Sequence, residues 1–388
     1  MPSTLHCLGV GSPLRITKLE ITLRIAILAP PWIPIPPPAY GGIEQVVALQ
    51  AAGLAERGHE VTLFAAKGSH VDGVKVVESQ FSVPDEIGLP EAEALHLSAI
   101  VGRCDGFDVV IDHSSPAGLA LSSLAAPPVL HVVHGPIRSS LAAHYRAVCA
   151  LGRGVGLVAI SGSQRRTAPF VPFAGVCHNA LNLDAVPFQS KSDGYLAFLG
   201  RMSPEKGVAQ AIQIARAAGR TLKIAAKCRE AAEIEYFERE VAPHIGPDVI
   251  WLGELGEQAK YELLGGAAAM VFPIDWDEPF GLVMIESMAC GTPVLATARG
   301  AVPEVVVDRA TGFVRRHPSE LAPLVGQLDL IDRRECRAHV ESQFSGPVMA
   351  ARYEALAMNA VHTRAIRPRM TSMRGGLVPA RVATTVGP

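Results

Sequence analysis

Residues 275–298 read DWDEPFGLVMIESMACGTPVLATA, and two carboxylates in this stretch could do chemistry. Glu278 precedes a Pro-Phe-Gly turn, and Glu286 sits inside the apolar run VMIESMAC. A carboxylate among Val, Met and Ile costs several kcal/mol unless hydrogen bonds or a partner charge compensate it. The proline after Glu278 holds its backbone extended, so a helix is expected to open at Phe280-Gly281-Leu282 and to carry Glu286. The first amides of such a helix are free to face a ligand. Two hydroxyls of a ribose would satisfy Glu286; so would a salt bridge to a buried arginine from elsewhere in the chain.

Four other loops could also meet a ligand. In GRMSPEKG (200–207), Arg201 and Lys206 flank a Ser-Pro turn and Gly207 starts a helix. A planar fork and a point charge suit a diphosphate, although Glu205 could also pair with these cations locally. PPWIPIPPPAYGG (30–42) is a stiff, proline-rich loop whose Gly41-Gly42 pair lets backbone approach a ligand just before a helix. HVVHGP (131–136) offers His131 and His134, which point to opposite faces of an extended strand. His134, beside Gly135-Pro136 at the strand end, is the one expected to face a cleft. DHSS (112–115) stays ambiguous.

The elements that must hold these loops alternate along the whole chain. Apolar runs at 23–30, 60–66, 107–113, 129–135, 156–161 and 176–181 read as strands, with a helix over 43–58. After a polar linker near 184–194 the runs resume at 195–201, 222–227, 249–254, 268–274 and 293–298. Runs apolar throughout are what parallel strands covered on both faces look like. Strand–helix alternation therefore predicts an α/β chain of two doubly wound units, 23–185 and 190–345, facing a cleft. Helix-like segments follow at about 319–340 and 346–362. Residues 1–22 are expected to be a loose extension from an upstream start, and the basic stretch 363–388 a disordered tail. Ligands of such sheets bind beyond the carboxyl ends of the strands, where every loop named above lies.

Composition narrows the function classes. The 388 residues are 49% apolar and 19% charged with a formal net charge of −2, which gives no electrostatic case for nucleic acid. Seven cysteines occur without a C-x-x-C pair, so neither a disulfide framework nor a zinc site is expected and a reducing cytoplasm fits. The one long uncharged run, 25–43, holds six prolines and is no spanning helix.

In their order, AYGGIE, GRMSPEKG, EPFGLVMIE, ACGTPVLAT and PEVV…TGFV resemble the retaining glycosyltransferases of family 4, which have the GT-B fold. The likeness runs from about Leu23 to about Ala360, and FSGPVMAARYEALAMNAV resembles the family's last helix, which crosses back to the first domain. It implies a nucleoside-diphosphate sugar, UDP- or GDP-linked, as co-substrate, with no further cofactor and no metal. Glu286 would then bind the ribose, Arg201 and Lys206 the diphosphate, and Glu278 the sugar. Amides around Gly281 and Leu282 would also contact the donor, Gly42 would approach it from the first domain, and His134 would contact the sugar near the reacting centre. The acceptor is left open among glycan, lipid-linked sugar and small metabolite. HNALNLD departs from the family's Asn-Gly-Val-Asp type turn, so Asn179 is carried over only weakly, and ARGAVPEVV lacks the commoner Gly-Gly.

Rival readings rest on thinner motifs. Asp275-Trp276-Asp277 imitates the D-x-D pair of metal-dependent transferases. LGVGSP (8–13) and GRGVG (152–156) are the glycine-rich hits for an NAD-dependent enzyme. Neither follows a strand and opens a helix. A UDP-sugar epimerase of the same fold would use the same donor residues without an acceptor. Arginines 138, 146, 153, 165 and 166 make the first unit locally basic without the apolar stripe of a membrane helix.

Overall fold

The computed structural model describes residues 21–38, 41–80, 87–151 and 154–366. Most of the expected amino-terminal extension, most of the expected tail, Arg153 and LGVGSP lie outside them. The first sheet contains β1 (Arg24–Leu28), β2 (Glu60–Ala65), β3 (Lys75–Glu78), β4 (Val109–Asp112), β5 (Val129–Val133), β6 (Val155–Ala159) and β7 (Phe173–Val176). The second contains β8 (Leu196–Arg201), β9 (Leu222–Lys227), β10 (Val249–Trp251), β11 (Ala269–Phe272), β12 (Val294–Thr297) and β13 (Gly312–Arg315). Every pairing is parallel, in the orders β3-β2-β1-β4-β5-β6-β7 and β10-β9-β8-β11-β12-β13.

These orders place the site. In the first sheet β1 neighbours β4, although the chain visits β2 and β3 between them; in the second β8 neighbours β11 across β9 and β10. The connections leave in opposite directions at those two switch points and open a crevice above the strand ends. Of the strands flanking it, β4 and β11 are buried at every residue, as are their outer neighbours β5 and β12. Side chains covered by helices on both faces must all be apolar, or satisfied by hydrogen bonds as Asp112 is.

Several elements differ from the sequence reading. β3 and β13 were not expected as strands; β3 is an edge strand, KVVE, with exposed ends, so it lacks a continuous apolar signal. β7 lies at 173–176 rather than 176–181, where the chain turns instead toward the second unit. The segment 319–340 divides into a 3-10 stretch Ala322–Leu330 and a helix Arg333–Gln343. The last helix runs Gly346–Ile366, past the expected end at 362. It packs on the Gly42–Glu56 helix of the first unit. There a Cβ added to Gly53 would stand 2.8 Å from Ala350 Cβ, and Glu354 accepts from Arg57 and lies 3.1 Å from His59 Nε2. Among the described residues, no helix is long and apolar enough to cross a membrane.

Candidate functional site

Between the two switch points lies a cavity of about 690 Å³, and all eight of the expected site residues line it: Gly42, His134, Arg201, Lys206, Glu278, Gly281, Leu282 and Glu286. Gly42 and Glu286, 244 positions apart in sequence, thus meet because parallel strands deliver their carboxyl ends to one edge.

The loop after β8 is pinned by a glycine. Pro204–Lys206 forms a single 3-10 turn ending on Gly207 at φ 79°, a left-handed conformation. A Cβ there would run into the Pro273 carbonyl, so only glycine fits. Lys206 is thereby turned inward, its Nζ donating to Glu278 Oε2 at 2.6 Å and lying 4.6 Å from the Trp276 ring centre. The Trp276 Nε1–H donates to the same oxygen at 3.1 Å. Arg201, half-exposed, lies 3.5 Å from Glu205. Local pairing with Glu205, the alternative weighed from sequence, is therefore present for Arg201, while Lys206 pairs with Glu278 instead.

The helix carrying Glu286 spans Leu282–Ala289 and opens, as expected, just after Phe280-Gly281. Gly281 at φ 83° turns the chain from the Glu278 loop into the helix, and Gly281, Leu282 and Val283 at the helix's amino end line the cavity. Ala301 N–H donates to Glu278 O at 2.8 Å and fixes the loop from the ARGAVPEVV side. Glu286 is 6% exposed, and Lys260 Nζ donates to its Oε1 at 2.6 Å. The burial of Glu286 is compensated by a cation, as the sequence alternative required, but the cation is a lysine and not an arginine. From the first unit, a Cβ on Gly42 would stand 3.1 Å from Leu282 Cδ1, so the two halves approach each other here.

Sequence reasoning missed several lining groups: Glu44, Lys227, Arg229, Glu254, Glu257 and Lys260. Lys227 ends β9, Arg229 follows it and Glu254 follows β10, so the strand-end rule alone could have found them. Arg229 Nε donates to Glu254 Oε2 at 2.7 Å. Burial raises the Glu44 carboxyl above its usual range. Asn179 also lines the cavity, with its Oδ1 buried and unpartnered among the described residues. Five cations and five carboxylates face one space, a balanced set that can exchange its internal pairs for an anionic ligand.

The rival motifs fall elsewhere. Asp275 and Asp277 are exposed and absent from the cavity wall, and Asp275 pairs with Arg299 at 3.0 Å. Gly154 and Gly156 lie at the amino end of β6, the end opposite a dinucleotide loop. Among the described residues the cysteines are free, and no group of three or more His, Cys, Asp or Glu is arranged to hold a metal.

Comparison with known proteins agrees with this architecture. The model of glycosyl transferases group 1 matches residues 183–329, and that of glycosyltransferase family 4 matches residues 40–168. The chain belongs to these glycosyltransferases. It is 28% identical over 362 residues to D-inositol 3-phosphate glycosyltransferase of Mycolicibacterium smegmatis, covering 76% of this chain and 80% of that one. It is 27% identical over 182 residues to lipopolysaccharide 1,2-N-acetylglucosaminetransferase of Salmonella typhimurium, covering 42% of this chain and 48% of that one, about half its length. A glycosyltransferase involved in avilamycin A biosynthesis superimposes with a TM-score of 0.67 at 27% identity, over 88% of this chain and 98% of that one. The fold of this glycosyltransferase is GT-B, with the cavity between its two Rossmann-like sheets.

Proposed function

We propose that this chain moves a sugar from a nucleoside-diphosphate sugar, UDP- or GDP-linked, to an acceptor hydroxyl, with retention of configuration and without a metal. One observation carries the reading: buried Glu286, Lys206 and Arg201, and the amino end of the Leu282 helix converge on one cavity at a switch point. Carboxylate, cations and free amides in that order match a ribose, a diphosphate and the first atoms of a sugar.

On this reading Glu286 accepts from the ribose hydroxyls while Lys260, donating to its Oε1 at 2.6 Å, orients it. Arg201 and Lys206 take the diphosphate, neutralising charge that grows on the leaving oxygen as its bond to the anomeric carbon breaks. The acceptor oxygen bonds to that carbon from the face the phosphate leaves, and the acceptor proton passes to the departing phosphate oxygen. Glu278 holds sugar hydroxyls. It is not a glycosidase nucleophile, because its Oε2 is already held by Lys206 and Trp276 and both acids serve different parts of one donor. His134 contacts the sugar from the first unit, and closure of the two units completes the site. The acceptor is a hydroxyl compound held by the first unit.

The test is release of nucleoside diphosphate from a panel of UDP- and GDP-sugars, with and without EDTA, followed by NMR of the anomeric proton in the product. Release that EDTA leaves unchanged, with the donor's anomeric configuration kept, is expected. Loss of activity in EDTA, or an inverted product, overturns the reading.

A further inference from the structure

His134 is held from behind by two buried side chains that come from other elements. His134 Nε2 lies 2.9 Å from Nδ1 of His113, just beyond β4, and the two rings stack with centres 5.1 Å apart and planes inclined by 27°. His113 Nε2 in turn lies 2.8 Å from Oε1 of Gln50, in the Gly42–Glu56 helix. Gln50 is 0% exposed and His113 2%, so water cannot replace either bond. Only His134, partly exposed, reaches the cavity. The first helix and the loops just after β4 and β5 thus contribute one residue each to a single file that ends in the cleft.

Counting protons along the file determines what it presents. Gln50 Oε1 has no proton, so the His113 Nε2–H must be the donor to it. Burial, with His134 beside it, holds His113 well below the usual histidine range, so the ring is neutral and its Nδ1 is bare. That bare nitrogen can only accept, so His134 donates its Nε2–H. Burial lowers His134 to about 4, so it too is neutral, and its one proton is already committed. Its Nδ1 is left as a lone pair.

We propose that Gln50 and His113 are positioning residues that lock His134 in the Nε2–H tautomer, so that its bare Nδ1 accepts a hydrogen bond from a hydroxyl group in the cleft. The inference rests on the glycosyl-transfer reading for the identity of that hydroxyl, which belongs to the donor sugar or to the acceptor. A phosphate oxygen has no proton to give, so His134 sorts hydroxyls toward itself and leaves the diphosphate to the cations opposite. The charged and titratable neighbours leave the file neutral. Asp112 takes hydrogen bonds from His131 Nδ1 at 2.8 Å, Ser122 Oγ at 2.6 Å and the Ser114 amide at 2.9 Å. Asp112 favours protonation of both rings and His131 opposes it, so burial, the largest cause for each, decides for the neutral form; Glu44 lines the same cavity from the first helix.

The direct test is an imidazole 15N–1H correlation spectrum of the full chain at pH 7.5, with His134 assigned by its disappearance in His134→Ala. Expected is a protonated Nε2 and a bare Nδ1 for His134, giving way to tautomer averaging in His113→Phe or, should that variant not fold, in Gln50→Leu. A proton on His134 Nδ1, or an unchanged tautomer in the variant, overturns the proposal. A second arm measures nucleoside-diphosphate release. His113→Phe should lower kcat tenfold or more with UDP or GDP affinity within twofold of wild type. The double variant with His134→Ala should be no worse than His134→Ala alone, because both act through one ring. Losses that multiply contradict it. Failure of wild type to bind either nucleotide sinks the transfer reading instead, and the spectrum still decides the tautomer.

Discussion

Lys206→Met isolates the cation that the site relies on most. Lys206 is 13% exposed at its side chain, and Glu278, its partner at 2.6 Å, is 9% exposed. Methionine keeps the stem packed against Trp276 but removes the charge. A hydrogen bond to a charged group contributes about 1.5–3 kcal/mol, which at 1.4 kcal/mol per decade is roughly 10- to 100-fold in affinity. The variant also leaves Glu278, at the sugar, as a carboxylate without its cation beside the diphosphate, so the upper end applies: UDP or GDP should bind about 100-fold more weakly. Adding Glu278→Gln removes that stray charge, and the double variant should recover about tenfold, a coupling expected of residues in direct contact. Titration calorimetry measures both. Affinity within threefold of wild type for Lys206→Met, or no recovery in the double variant, would refute the assignment of Lys206 to the phosphates.

Gly207→Ala should destabilise the chain by roughly 2–4 kcal/mol, since the φ of 79° and the Pro273 carbonyl both exclude a Cβ; urea unfolding reads this, and nucleotide affinity should fall with it because Lys206 is displaced. Lys260→Met should leave Glu286 without its cation at 7% side-chain exposure and cost about 3 kcal/mol, seen as a lower Tm, whereas the pair-deleting Lys260→Met/Glu286→Gln should be milder. His96, 1% exposed and donating to Ala29 O at 3.0 Å, is lowered by burial to about 4. The unfolded state, with a histidine near 6.5, binds its proton first as pH falls. Stability is therefore unaffected above pH 7 and lost between about 6.5 and 4, by about 2 kcal/mol from this residue at pH 5. His96→Gln should flatten that acid limb in urea titrations at pH 7.5 and 5.0.

The sequence was most informative where one residue answers to several constraints at once. Glu286 is legible because its neighbours are apolar, and Gly207 and Gly281 because loop and helix meet there. What stayed hidden were partners. Lys260 lies 26 positions before Glu286 on an ordinary polar helix face, and nothing local marks it. The Gln50–His113–His134 file joins three elements whose spacing in sequence carries no period. Strand runs such as VVID in β4 were visible because covering both faces forces apolarity, while edge strand β3 and short β13 are held by backbone pairing to β2 and β12. The turn at 176–181 looked like a strand because its apolar residues Cys177, Ala180 and Leu181 are buried where the chain leaves the first unit.

The central claim, a nucleoside-diphosphate sugar bound through Glu286 in this cavity, is tested most directly by thermal unfolding with UDP, GDP, ADP, dTDP and NAD, on wild type and on Glu286→Ala. A nucleotide at a hundredfold excess over its Kd adds about 2.7 kcal/mol, a shift of a few degrees for a chain of this size. The account predicts that UDP or GDP stabilises the wild type and that the variant loses the response. Stabilisation by NAD alone, or a response to UDP or GDP that survives in Glu286→Ala, would contradict it.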